Sequence, residues 1–160
     1  MKVLVTGCAG FVGSHLTEHL VNGGHIVYGI DNLLTGQEKN IGNIHSFIEG
    51  DISNQTFMSH LNAKGPIDII YNLACPASPD HYIKHSIKTL DTCYMGTKNV
   101  LELAKKNNSI VIHTSTSEVY GNPDHTPQRE DYHGNVNSFG PRACYDEGKR
   151  VAEALIYEYT

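Results

Sequence analysis

Short apolar runs recur along this 160-residue chain, separated by longer mixed stretches. Lys2-Val3-Leu4-Val5-Thr6 has no alternation of polar and apolar positions, as expected of a strand buried on both faces. His25–Ile30, Ser46–Glu49, Pro66–Ala74 and Ser109–His113 repeat that signature. Between them, Ser14–Val21 reads as a helix stopped by Asn22-Gly23-Gly24 through a left-handed cap. Residues 37–43 are polar and read as irregular or briefly helical, and a helix is expected through Phe57 and Leu61. Cys75-Pro76-Ala77-Ser78-Pro79 breaks regular structure. A long helix then follows from Ser86 to Asn107, with Leu90, Val100, Leu101 and Ala104 among its apolar positions. A last helix opens within Gly140–Arg150, with Pro141 in its first turn. Five strands spaced by helices predict a doubly wound parallel α/β sheet with right-handed crossovers, in one domain spanning residues 1–160. Ligands of such sheets bind beyond the carboxyl ends of the strands.

The first of those ends is rich in glycine. Gly7-Cys8-Ala9-Gly10-Phe11-Val12-Gly13 links the first strand to the first helix, and Asp31 closes the second strand. Strand, glycine turn, helix, strand and acid make up a Rossmann-like dinucleotide-binding unit. The glycines let backbone approach a pyrophosphate, and the helix N-terminus offers free N–H groups and partial positive charge. A carboxylate at Asp31 can accept from both adenosine-ribose hydroxyls and repels a 2′-phosphate, so NAD is expected over NADP.

Composition narrows the function further. The net charge of −5 gives no reason to expect nucleic acid or an anionic membrane as partner. No apolar run is long enough to span a bilayer, and the N-terminus leads directly into a strand, so no signal peptide is expected. The four cysteines lack C-x-x-C spacing, which favours reduced thiols in a cytoplasmic protein. Ten histidines include the i, i+4 pairs His15/His19 and His81/His85, but neither has the glutamate of H-E-x-x-H or a third ligand. No metal is expected.

Two tyrosine–lysine pairs have the i, i+4 spacing that puts both side chains on one helix face: Tyr94/Lys98 and Tyr145/Lys149. A phenol beside an ammonium can serve as a base, because the fixed positive charge lowers the phenol's pKa. Chain order selects Tyr145. It follows the hydroxyl-rich segment Thr114-Ser115-Thr116-Ser117-Glu118 at the end of the fifth strand and can return to it, whereas Tyr94 precedes that strand. The polar loop from Gly121 to Gly140 between them is long enough to suggest function. Gly148, inside the helix, costs roughly 1 kcal/mol against alanine and implies a close approach there.

Thr116-Ser117-Glu118-Val119-Tyr120-Gly121 together with Gly140–Arg150 resembles the UDP-glucuronate decarboxylase family of the extended short-chain dehydrogenase/reductase superfamily. Asp31-Asn32, Thr35-Gly36, Pro76-Ala77-Ser78-Pro79, Ile87–Leu90, Gly96-Thr97 and Glu130-Asp131-Tyr132 extend the resemblance over essentially the whole chain. It implies an NAD-dependent enzyme that decarboxylates a UDP-sugar through a 4-keto intermediate. Tyr145, Lys149, Thr116, Ser117 and Glu118 would carry the catalysis. The cofactor would be held by Gly7, Gly10, Phe11, Val12, Gly13, Asp31, Asn32, Thr35, Gly36, Asp51, Ile52, Leu73, Ala74, Thr92, Thr114, Tyr145 and Lys149. Asp51 has a second reading, as N-cap of the next helix. Asn99 is a candidate substrate contact. The resemblance also implies homodimerisation through two long helices, and a substrate domain and later strands beyond the 160 residues seen here. Cys93 stands where relatives commonly carry asparagine. Other readings remain: a 4,6-dehydratase, in which aspartate would replace Ser117, a 4-epimerase, or an NAD-binding module without turnover.

Overall fold

The computed structural model describes residues 1–61 and 65–160. Five parallel strands, β1 (Lys2–Thr6), β2 (Ile26–Asp31), β3 (Ser46–Glu49), β4 (Ile69–Asn72) and β5 (Ile110–His113), form one sheet in the order β3-β2-β1-β4-β5. The order reverses at β1, which pairs with β2 on one side and β4 on the other. The crevice at that reversal is where a doubly wound sheet takes its ligand. Val3, Leu4, Val5, Val27, Ile30 and Ile70 are almost wholly buried, as continuous apolar strands require.

Helices cover both faces. On one, α1 (Phe11–Asn22) lays Leu16, Leu20 and Val21 against Val3, Val5 and Val27. On the other, α2 (Gln55–His60) and α5 (Thr97–Asn107) bring Met58, Val100, Leu103 and Ala104 onto Leu4, Ile30 and Ile70. Among the described residues no helix is long and apolar enough to cross a membrane.

Several boundaries differ from those read from the sequence, each for a local reason. Helix α1 starts at Phe11, so Gly13 belongs to its first turn and not to the preceding loop. Of the two glycines that end it, only Gly24 is left-handed, at φ +76°. Asp51 does not cap α2. Asn54 does, accepting from the Phe57 N–H at 3.0 Å, while Asp51 turns to Ser53 and Lys88. The stretch after β4 contains an extra helix, α3 (Pro79–Lys84), with proline at its start. The long helix divides into α4 (Ser86–Asp91), a π-helical turn (Thr92–Gly96) and α5. The last helix, α6 (Ala143–Tyr159), begins two residues after Pro141. A bond from Ala143 N–H to the Gly140 carbonyl, 3.1 Å, closes a separate turn first, and helical pairing starts at the Arg142 carbonyl.

Candidate active site

At the first strand end the backbone itself forms the cradle. Gly7 takes φ +73°, and a Cβ there would press on Leu73 and Ala74 at 2.9 Å. A Cβ at Gly13 would overlap the Gly7 carbonyl. The first turn of α1 thus sits directly on the turn that feeds it, which only glycine permits. Asp31, at the end of β2, ties this turn down: its Oδ2 accepts from Ala9 N–H at 3.0 Å and its Oδ1 from Leu33 N–H at 2.8 Å. Phe11 and Val12 lie exposed on the outer side of the helix start, and Gly36 packs against Ala9 and Asp31.

A cleft opens from this cradle. It is lined by Asp51 and Ile52 after the edge strand β3, by Asp31, Asn32 and Thr35 after β2, by Gly7 and Gly10 after β1, and by Leu73, Ala74 and Cys75 after β4, with Thr92. Burial opposes ionisation of Asp51, yet the bonds from Lys88 and Ser53 outweigh it and hold the carboxyl below its usual range. Asn32 reaches the same carboxylate at 3.5 Å. A glycine cradle with no room for side chains, a helix N-terminus above it and an acid at the far strand end fit a dinucleotide.

The second cluster lies where β4 and β5 end. Tyr145 is 7% exposed and stacks on Tyr82, ring centroids 4.8 Å apart and planes within 6°. The side chain of Thr116 is near enough to act on its phenol. Thr116 opens a 3₁₀ turn (Ser117–Tyr120) and accepts from Glu118 N–H at 3.3 Å. Glu118 is ion-paired with Arg142, the residue that precedes α6, and Ser117 is exposed.

Lys149, 4% exposed, lies 6.0 Å from the Tyr145 ring centroid and donates from Nζ to the Thr114 carbonyl at 2.7 Å. The expected lowering of the Tyr145 pKa is absent in this arrangement. Burial pushes the phenol up, and Thr116 only partly offsets it. The ammonium is spent on a backbone carbonyl at the end of β5 and so locks α6 to the sheet.

Asn99 stands apart from both clusters. It is buried on α5 and donates to the Ile52 carbonyl at 2.8 Å, bracing the loop after β3. It is not among the residues that line the cleft. Tyr94 is on the π-helical turn and half-exposed. The loop after Gly121 is held by Arg150, whose Nη1 donates to the carbonyls of Val119 (2.8 Å) and His133 (3.1 Å). Gly148 has its close approach: a Cβ there would sit 3.1 Å from both Cβ and Sγ of Cys93.

Three contributors carried no signal in sequence spacing: Tyr82 beneath Tyr145, Lys88 on Asp51, and Cys75 in the cleft wall. Arg142 was visible only as part of the Gly140–Arg150 run.

Comparison with known proteins agrees with the fold. The family model described as GDP-mannose 4,6 dehydratase matches residues 4–160. UDP-glucuronic acid decarboxylase 1 of Danio rerio is 49% identical over 158 residues, and its Arabidopsis thaliana namesake is 46% identical over 159. Both alignments cover 99% of this chain but only 37% and 36% of the relative. The chain therefore spans well under half the length of these relatives. Among solved structures, UDP-glucose 4-epimerase of Thermotoga maritima superposes with TM-score 0.88 at 27% identity, covering 99% of this chain and 51% of that one. A Brucella ovis UDP-glucose 4-epimerase in complex with NAD superposes at 0.85 and 28% identity, covering 99% and 47%. The chain belongs to the GDP-mannose 4,6 dehydratase family, among the nucleotide-sugar epimerase/dehydratase enzymes of the extended short-chain dehydrogenase/reductase superfamily.

Proposed function

We propose that this chain is the NAD-binding and oxidising part of an enzyme that converts UDP-glucuronate to UDP-xylose and CO2. The observation that carries the reading is the placement of Thr116, Glu118 and Tyr145. One short turn sets the Thr116 side chain near the Tyr145 phenol and presents Glu118 two residues further on. An oxidation at a sugar hydroxyl and a proton exchange at the neighbouring carbon need groups so arranged.

The cofactor would be held by the Gly7–Gly13 cradle, Asp31, Asn32, Thr35, Gly36, Asp51 and Ile52, and by Leu73, Ala74, Thr92, Thr114 and Lys149. When bound, the dinucleotide supplies a reversible hydride acceptor for the sugar C4 carbon. Tyr145 takes the proton of the C4 hydroxyl, and Thr116 steadies the same oxygen. The product is a β-keto acid. Its C5 carboxylate leaves as CO2, and the C4 carbonyl receives the electron pair of the broken bond. Glu118 and Ser117 are placed to manage the proton that C5 takes up, which solvent supplies. Lys149, locked to the end of β5, fixes the position of the Tyr145 helix.

Ser117 favours decarboxylation over dehydration, since a hydroxyl is a poor acid for expelling water. Identity of 46–49% to named decarboxylases supports the same choice. We place the full-length protein as a homodimer through the α4–α5 run and α6. Exposed Ile87 and Tyr94 on that run support this placement.

The test supplies UDP-glucuronate, labelled at its carboxyl carbon, and NAD+ to the full-length protein and to this chain. Labelled CO2 from the full-length protein is expected, and NAD binding by the chain alone. Full-length protein that consumes no UDP-glucuronate would overturn the assignment.

A further inference from the structure

Three thiols gather behind Tyr145. Cys75 follows β4, Cys93 lies on the π-helical turn and Cys144 opens α6, and all three are unpaired. Two of them touch: Cys75 Sγ and Cys93 Sγ are 3.4 Å apart. Their exposure differs. Cys75 is part of the wall of the dinucleotide cleft, open to small molecules that enter it, whereas Cys93 is buried beneath it and packs against Gly148. The contact therefore joins a half-buried thiol in the cleft wall to a buried one, from chain segments 18 residues apart in sequence.

We propose that Cys75 and Cys93 form a reversible redox site, which hydrogen peroxide or an organic hydroperoxide closes to a disulfide and a dithiol reopens. No large movement is needed: the sulfurs must approach by only about 1.4 Å to reach a normal S–S bond. Electrostatics favour Cys75 as the attacking sulfur. Its hydrogen bond with Cys93 outweighs its own burial; the Lys149 charge adds to the effect, so the Cys75 thiol is held below its usual range. Cys93 is pushed up, by that same partnership and by burial, and keeps its proton.

The chemistry balances in two steps. The Cys75 thiolate attacks one peroxide oxygen; the O–O bond breaks, and hydroxide leaves to become water. The product is a sulfenic acid on Cys75. Cys93 sulfur then attacks Cys75 sulfur; the S–S bond forms, the S–O bond breaks, and the departing hydroxide takes the Cys93 proton as a second water. Two thiols are oxidised by two electrons and the peroxide is reduced by two.

Closure would join the cleft wall to the turn that supports α6 between Tyr145 and Lys149. Cys93 already fills the space over Gly148, with no slack on that side. Drawing it toward Cys75 shifts the wall that receives the dinucleotide, so the oxidised form should bind NAD more weakly. This consequence rests on the function proposed above; the bond itself does not.

The test treats the reduced 160-residue chain with stoichiometric hydrogen peroxide, blocks remaining thiols by alkylation and maps peptides by mass spectrometry before and after dithiothreitol. A Cys75–Cys93 cross-linked peptide lighter by two hydrogens is expected. It should vanish with dithiothreitol, persist in Cys8→Ser and Cys144→Ser, and be absent in Cys93→Ser. Peroxide that leaves Cys75 only as sulfinic or sulfonic acid, or links it to Cys144, would overturn the site. NAD titration then reads the consequence: severalfold weaker binding on oxidation, restored by dithiothreitol, supports the coupling. Equal affinity in the two forms would overturn it. Failure of the reduced chain to bind NAD would count against the functional reading alone, since the cross-link is scored separately.

Discussion

The two clusters of the candidate site are held together by different means. The cradle is local: Gly7, Gly10 and Gly13 lie within one turn, and Asp31 reaches back across a single strand–helix–strand unit to Ala9. The chemical corner is assembled from distant segments. Tyr82 from α3, Thr116 after β5, and Tyr145 and Lys149 from α6 meet only because the sheet and its crossovers bring them there. A local cradle is specified by spacing and sterics. A corner built from distant segments depends on packing, and its errors appear as lost chemistry before lost fold.

That contrast is sharpest at Tyr145. In the full-length protein, Tyr145→Phe is expected to lower turnover by about 10²–10⁴-fold while leaving NAD binding and melting temperature near those of the parent. The half-exposed Tyr94 provides the control, and Tyr94→Phe should leave turnover close to the parent value. Equal losses in both variants would show that the wrong pair had been chosen.

In the cradle the order of effects should reverse. Gly13→Ala forces a methyl group into the Gly7 carbonyl, and backbone must move to relieve it. A destabilisation of about 1–3 kcal/mol is expected, together with weaker NAD binding, from urea melts and a fluorescence titration. An unchanged midpoint and affinity would mean that the turn is more pliable than its contacts indicate.

A smaller effect separates the corner by pH. Burial, reinforced by the Lys149 charge, lowers the His113 pKa to about 4 from an ordinary 6.5. Asn72 Nδ2 donates to its Nδ1 at 3.1 Å, and its buried Nε2 has no partner among the described residues. The folded chain therefore keeps this ring neutral where the unfolded chain has already taken up a proton. Between pH 6.5 and about 4 the unfolded state binds more protons, so this group's contribution is intact above 6.5 and is lost as pH falls through that window. His113→Gln should be less sensitive to acid than the parent across that interval when both are melted in parallel. Identical slopes would remove His113 from the account.

Legibility followed the same division. Continuous apolar runs announced all five strands, and the glycine spacing with Asp31 announced the cradle, because both are consequences of neighbouring residues. The order of elements sufficed to prefer Tyr145 over Tyr94. What escaped was set by tertiary packing. Nothing in its own neighbourhood marks Tyr82 as the floor under Tyr145. Asp51 looked free to cap a helix until Lys88 took it, and Lys149 looked like a partner for the phenol until the Thr114 carbonyl engaged it. Gly148 was legible as a gap, though not as the space reserved for Cys93.

Asp31 shows what a local cradle achieves in advance. An ionised carboxylate offers about four lone-pair directions. Ala9 and Leu33 occupy two of them in this structure, leaving two. One side chain can thus keep the glycine turn in shape and still have one acceptor direction for each of two adjacent hydroxyls. The turn need not be ordered by the ligand, so little of the binding free energy goes into arranging the protein. An amide at this position would have to choose between holding the loop and holding the sugar.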